Sequence, residues 1–375
     1  MKIGILGLNI NTEDLNYGAI LHSWAFCEAL HKIDSKNDVE VIDYIIPALE
    51  NFDRNRPVLS YLRMRRWTSA IKILLCRKGY LKRLERFRQF AGNMQVSQQR
   101  YTHKTLEEAK LLYNCLICES DVIWSPRFFG GEFDSAFFLA LKNMKEKKKI
   151  IYAASMANAD FASEEERVSF AALVKYPDFI SCREQLAVDY IRDYCGMEIP
   201  RVLDPVLLLK AQDYEPIMAP RKYQQPYLLL YLPLNYNGKY QQTAKDYAKK
   251  HGLQVIELSY YFWNSWSHTV VPDAGVEDFL SLIKNAEVVF TNSFHAVCFS
   301  CLFHKDFYVF ERKTGKKTED FCVLFGLEER YMNIDHFAER SPIDFSAVDK
   351  RIEEEKVKSI KWLTEALESD GRRQG

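Results

Sequence analysis

Apolar residues in this chain come in short runs, with stretches of helical spacing between them. Residues 2–8 read as a strand, and 19–33 ("AILHSWAFCEALHKI") as a helix that follows a polar loop ending in Asn16, Tyr17 and Gly18. "VEVIDY" (39–44), "NCLICESD" (114–121), "KKIIYAAS" (148–155) and "PDFISCRE" (177–184) read as further strands. A helix over 184–195 is closed by Gly196. After a Pro-rich, polar break at 210–225 the alternation resumes. Strands are expected at 226–234 and 253–261, helices at 240–251 and 276–286, and a long amphipathic helix over 346–368 packs back across the surface. Strand and helix alternating in this way predicts parallel α/β architecture.

The stretch 291–310, "TNSFHAVCFSCLFHKDFYVF", is the least polar of these units. Its central helix has almost no polar face, so it is expected to be covered on nearly every side. Asn292 or Ser293 can cap it, which places His295 in the first turn, at an exposed helix start. An anion docked at Ser293, Phe294 and His295 would meet backbone N–H groups, the positive end of the helix dipole and an imidazole. The alternative is a capped helix with an incidental histidine.

With 375 residues, the chain is long enough for two domains. The expected division is 1–212, carrying a basic helical segment at 58–92; 213–345; and a C-terminal helix and tail at 346–375. Two Rossmann-like domains would face a cleft, with ligands beyond the C-terminal ends of the strands. Lys plus Arg equals Asp plus Glu, 51 against 51, which argues against a protein that coats nucleic acid. No apolar run reaches membrane-span length and the N-terminus does not resemble a signal peptide, so a cytoplasmic protein is expected. Nine cysteines without a framework fit a reducing compartment. Two C-x-x-C pairs, Cys115/Cys118 and Cys298/Cys301, sit among apolar neighbours and read as core, not as metal ligands. G-x-G-x-x-G, Walker and G-x-S-x-G patterns are absent, which argues against a nicotinamide cofactor.

Other charged and aromatic pieces each have two readings. Arg183, between a strand and a helix, is either an anion-binding fork or an ion pair with Glu184. "ERKTGKK" (311–317), with Arg312 and Lys316, is either a loop closing over an anion or a solvated turn. "LSYYFWNSWSH" (258–268) offers Tyr261, Trp263 and Trp266 for stacking on sugar rings, or for packing. Residues 61–90 hold ten Lys or Arg and one Glu, a net +9, with Trp67, Ala70, Ile71, Leu74 and Leu75 at helical spacing. Such a helix can lie on an anionic membrane or pack on its own domain.

Together these pieces resemble the polysaccharide pyruvyl transferase family, nearly end to end. "NYGAILHSWAFCEAL" is similar to the family's N-Y-G-A-x-L-Q-x-x-A-L, "ESDVIW" to G-S-D-x-x-W, and "NAEVVFTNSFHAVCFSCLF" to N-A-x-x-V-x-T-x-S-F-H-G-x-x-F-S. "YAAS", "ISCRE" and "LDPVLLL" match in order. Glu119 and Ala296 each replace a glycine, and Ser293 stands where some relatives have arginine.

The resemblance implies a GT-B-like fold, phosphoenolpyruvate as donor and a glycan diol, free or lipid-linked, as acceptor. It further implies that His295 and Arg183 bind the donor. Asn16, Gly18, Ser293, Phe294, Arg312 and Lys316 are further candidates for that role. His295 is the expected general acid and Asp121 or Glu184 the base, with no metal required and the glycan on Tyr261, Trp263 and Trp266. Rival readings are a sugar-nucleotide glycosyltransferase of the same fold, or a degenerate member that only binds a glycan.

Overall fold

The structure, a computed structural model, describes residues 1–125, 132–157, 163–233, 238–259, 261, 267–311 and 316–369. In chain order its strands and α-helices are β1 (Lys2–Leu6), α1 (Tyr17–Ile33), β2 (Asp38–Val41), α2 (Pro57–Arg63), α3 (Trp67–Ala91), α4 (His103–Glu108), β3 (Cys115–Glu119), β4 (Lys148–Ala154), α5 (Glu164–Leu173), β5 (Phe179–Cys182) and α6 (Gln185–Cys195). They continue with β6 (Tyr227–Tyr231), α7 (Gly238–His251), β7 (Gln254–Leu258), β8 (Thr269–Val271), α8 (Val276–Lys284), β9 (Val288–Thr291), α9 (Phe294–Leu302), β10 (Asp306–Phe310), α10 (Lys317–Phe325), β11 (Tyr331–Met332) and α11 (Phe345–Glu368).

These elements form two compact units. The first comprises residues 1–50, 91–209 and 352–375 around a parallel sheet of order β2-β1-β3-β4-β5. The second comprises residues 51–90 and 210–351 around a parallel sheet of order β11-β10-β9-β6-β7-β8. Each sheet is wound outward in both directions from a central pair, β1 and β3 in the first, β6 and β9 in the second. That reversal of strand order is where such folds bind ligands, past the C-terminal strand ends.

Side-chain periodicity explains the packing. On one face of the second sheet, alternate residues Leu228 and Leu230, Val288 and Phe290, and Tyr308 and Phe310 join Tyr240, Ala244 and Ala248 of α7 in a single core. Strand period two meets helix period four. Cys115, Cys118, Cys298 and Cys301 are buried free thiols in such layers. Helix α1 begins earlier than its apolar pattern suggests, because Asn16 caps it and draws Tyr17 and Gly18 into the first turn.

Two chain segments are exchanged relative to the expected division. The basic segment belongs to the second unit, where Gly79 lets α3 approach closely: a Cβ there would stand 2.9 Å from Pro272 Cβ. Lys82 pairs with Asp273, and Arg86 pairs with Asp278 of α8. Helix α11 starts in the second unit and continues into the first. There Ser359 Oγ accepts from the Leu203 amide (2.9 Å), and Trp362 lies 6.2 Å from the Tyr152 ring. The apolar residues of α3 also divide: Ala70 is buried with Ile73, Tyr80, Leu84 and Phe87, whereas Trp67, Ile71, Leu74 and Leu75 are exposed.

Candidate functional site

At the C-terminal end of β3 the backbone turns sharply. Ser120 and Asp121 both take positive φ, 47° and 53°, a conformation that non-glycine residues adopt only where their surroundings over-determine it. The Ser120 amide donates to the Tyr152 carbonyl (2.8 Å), and the Asp121 carbonyl accepts from the Ser155 amide (3.0 Å), so β4 holds the turn.

Arg183 follows β5 and reaches under this turn. Its guanidinium donates to Glu184 Oε1 (3.0 Å), to Ser120 Oγ (3.3 Å) and to Asp204, and lies 3.7 Å from Asp121. Ser120 Oγ donates to Asp204 Oδ2 (3.0 Å). All five residues are buried. Burial alone would favour a neutral arginine, but the charges of Glu184, Asp204 and Asp121 outweigh it and hold the guanidinium protonated. The ion-pair reading of Arg183 is therefore realised, and with three carboxylates instead of one. These contacts all lie within the first unit.

Beside this cluster, Glu119 is fully buried with His22 and Ser23 of α1. His22 Nδ1 lies 2.8 Å from Glu119 Oε2, and Ser23 Oγ donates to the same carboxylate. Burial pushes the Glu119 carboxyl upward. Burial works against the His22 cation, but the Glu119 charge and hydrogen bond prevail and raise its pKa. Gly7, just after β1, gives the space: a Cβ there would come within 2.9 Å of the Glu119 carbonyl oxygen.

In the second unit the equivalent edge is the β9–α9 junction. Thr291 Oγ1 donates to the Tyr231 carbonyl (2.7 Å) and accepts from the Ser293 amide (3.0 Å), tying β9 to β6. Ser293 is the cap, its hydroxyl accepting from the Ala296 amide (3.4 Å). His295 therefore stands in the first turn, at the reversal of strand order. It is buried rather than exposed, 4% accessible, with its ring edge-on to Phe294 at 5.2 Å.

The remaining candidates fare differently. Asn16 Oδ1 accepts from the Gly18 amide (2.9 Å), so these two residues cap α1 and satisfy each other. Lys316 is exposed at the start of α10. Tyr261 lies under Lys72 of α3, whose ammonium is 5.9 Å from the ring centroid. His268 fastens the end of that aromatic loop, with Nε2 2.7 Å from buried Glu257. Arg312, Trp263 and Trp266 lie outside the described residues. Asp204, Ser120 and His22 were not singled out from the sequence, although each falls in a family-like motif. Asp204 precedes Pro205 and caps the following turn, a signal that reads as structure alone.

Among the described residues no group of three or more His, Cys, Asp or Glu side chains is arranged to hold a metal ion. A hollow of about 670 Å³ in the first unit is lined by Met1, Asn114, Lys148 and Asp178, at the N-terminal strand ends, opposite the carboxylate cluster. Among the described residues no helix is long and apolar enough to cross a membrane.

Comparison with known proteins agrees with this fold. The chain aligns over 94% of its length with UDP-GlcNAc 2-epimerase from Methanocaldococcus jannaschii, at 13% identity, 92% coverage of that chain and a TM-score of 0.50. A candidate UDP-N-acetylglucosamine 2-epimerase from Listeria monocytogenes aligns over 97% of this chain and 90% of its own, at 10% identity and a TM-score of 0.50. At such identity the likeness shows the fold alone, the two-unit Rossmann-like architecture of the GT-B class. No curated protein sequence matches. The family model for polysaccharide pyruvyl transferase matches residues 16–314, which include every motif that meets at the two strand edges. The chain belongs to the polysaccharide pyruvyl transferase family, and is a transferase.

Proposed function

We propose that this protein transfers pyruvate from phosphoenolpyruvate to two hydroxyls of a glycan, forming a cyclic ketal during assembly of a surface or capsular polysaccharide. One observation carries the reading beyond family membership. Five family-like motifs, spread from Asn16 to Leu209, converge at the C-terminal edge of the first sheet: His22, Glu119 to Asp121, Ser155, Arg183 with Glu184, and Asp204. The sixth brings His295 to the same edge of the second sheet.

In this reading the donor sits against the first turn of α9, whose amides and dipole suit its phosphate and carboxylate. His295 delivers a proton to the methylene carbon, creating an oxocarbenium centre at C2. One sugar hydroxyl adds to C2, and the C2–O bond to phosphate breaks with the electron pair leaving on phosphate. The second hydroxyl then closes the ring. Of the two hydroxyl protons, one replaces that given to the methylene carbon and the other leaves with phosphate. Asp121 and Glu184 take the hydroxyl protons, and Arg183 positions these carboxylates instead of gripping the donor.

The test is phosphate release from phosphoenolpyruvate, coupled to the mass gain of a pyruvate ketal on a diol-bearing glycan. His295→Gln should reduce turnover on the order of a hundredfold or more, as loss of one strong transition-state contact does. Turnover of a sugar nucleotide in place of phosphoenolpyruvate would establish the glycosyltransferase alternative.

A further inference from the structure

Helix α3 is docked by one face and, among the described residues, leaves another unpartnered. Its middle and C-terminal half are fixed to the second unit through Gly79 against Pro272, Lys82 with Asp273 and Arg86 with Asp278. Ala70, Ile73, Tyr80, Leu84 and Phe87 form the buried stripe. The N-terminal half presents a second apolar stripe to solvent. Trp67 is 63% exposed, Ile71 60%, and Leu74 and Leu75 57% each. At 100° per residue these four fall within a 100° arc of the helix. Four large apolar side chains together on a surface mark an interaction site, where a scattered few would not.

Charge identifies the occupant. Exposed Arg63, Arg65, Arg66, Lys72, Arg77 and Lys78 surround the stripe. From Pro57 to Leu84 the chain contains no Asp or Glu, and Glu85 is the first. An apolar stripe led by Trp, Ile and Leu and bordered by cations is the composition of a helix lying in a membrane interface, rings and aliphatics among the acyl chains, cations at the headgroups. A second copy of the chain would bring the same positive rim against itself. We infer that the Trp67/Ile71/Leu74/Leu75 face of α3 docks on a membrane surface rich in anionic lipid.

The test is co-sedimentation of the full chain with vesicles of phosphatidylcholine alone, or with about a third phosphatidylglycerol, at two salt concentrations. The protein should pellet with the anionic vesicles in 0.1 M salt and release in 1 M, where the screening length falls from ~10 Å to ~3 Å. Leu74→Glu with Leu75→Glu, and separately Arg65→Glu with Arg66→Glu, should each lower the partition coefficient roughly tenfold or more. All four sites are exposed, so unchanged thermal melts should accompany the loss. Wild type that ignores anionic vesicles in low salt overturns the inference. So does equal binding to both lipid mixtures, or a dimer on size exclusion that the leucine variant dissociates. Sedimentation is read without turnover, so the result is independent of the proposed reaction.

Discussion

Glu119 and His22 lie 2.8 Å apart inside the first unit, and each stands where the family-like motif carries another residue, glycine before Ser-Asp and glutamine after N-Y-G-A-x-L. The two departures therefore meet in one buried pair. A carboxylate placed in the core needs a partner, and the histidine one helix away supplies it.

Breaking this pair from one side should be costly. Glu119→Gly or His22→Gln alone leaves a buried group without its counterpart and should lose about 3–5 kcal/mol of stability. The double variant should lose less than the sum of the two. Urea denaturation of the four proteins measures the coupling; strict additivity would mean that the contact carries no energy.

The same pair sets a pH dependence. The folded pKa of His22 is raised from 6.5, so its contribution is fully present below pH 6.5 and is lost as pH rises through the folded value. The raised Glu119 carboxyl acts in the same sense, its protonated form being favoured in the fold below its ordinary pKa of 4.5 and that advantage lost with rising pH. Melting temperature should therefore fall as pH is raised above 6.5, and Glu119→Gln should flatten the slope. A variant with the wild-type slope would place the titration elsewhere.

Arg183→Lys separates positioning from anion binding. Lysine cannot serve Glu184, Asp204 and Ser120 together, as the planar fork does. Stability and kcat should both fall while the KM for phosphoenolpyruvate stays within about twofold of wild type, far less than the ~1.4 kcal/mol that a tenfold change represents. A tenfold rise in donor KM with an unchanged melt would restore the arginine to the donor.

Gly7→Ala should destabilise by roughly 1–3 kcal/mol, since its methyl would press on the Glu119 backbone. The cost should persist in the Glu119→Gln background, because the closest contact is the Glu119 carbonyl oxygen. Thermal melts of both pairs measure it, and a cost that vanishes with Glu119→Gln would assign the clash to the side chain.

Periodicity alone determined most of the architecture. Apolar runs such as Leu116–Cys118, Leu228–Leu230 and Val288–Phe290 are short enough to read as buried strands, and caps such as Ser293 and Gly196 mark helix ends by local backbone chemistry. Motif order likewise determined the family and placed His295 in the first turn of its helix. Tertiary structure decided what sequence distance conceals. Asp204 is 21 residues from the arginine that it pairs with, and Glu119 is 97 from the histidine whose pKa it raises. Short β8 and β11 carry too few residues to show a period, and exist because β7 and β10 offer them free edges. Helix α3 shows the distinction most clearly. Its sequence contains two apolar stripes, and contacts such as Gly79 with Pro272, Lys82 with Asp273 and Arg86 with Asp278 fix its docked face, leaving Trp67, Ile71, Leu74 and Leu75 exposed.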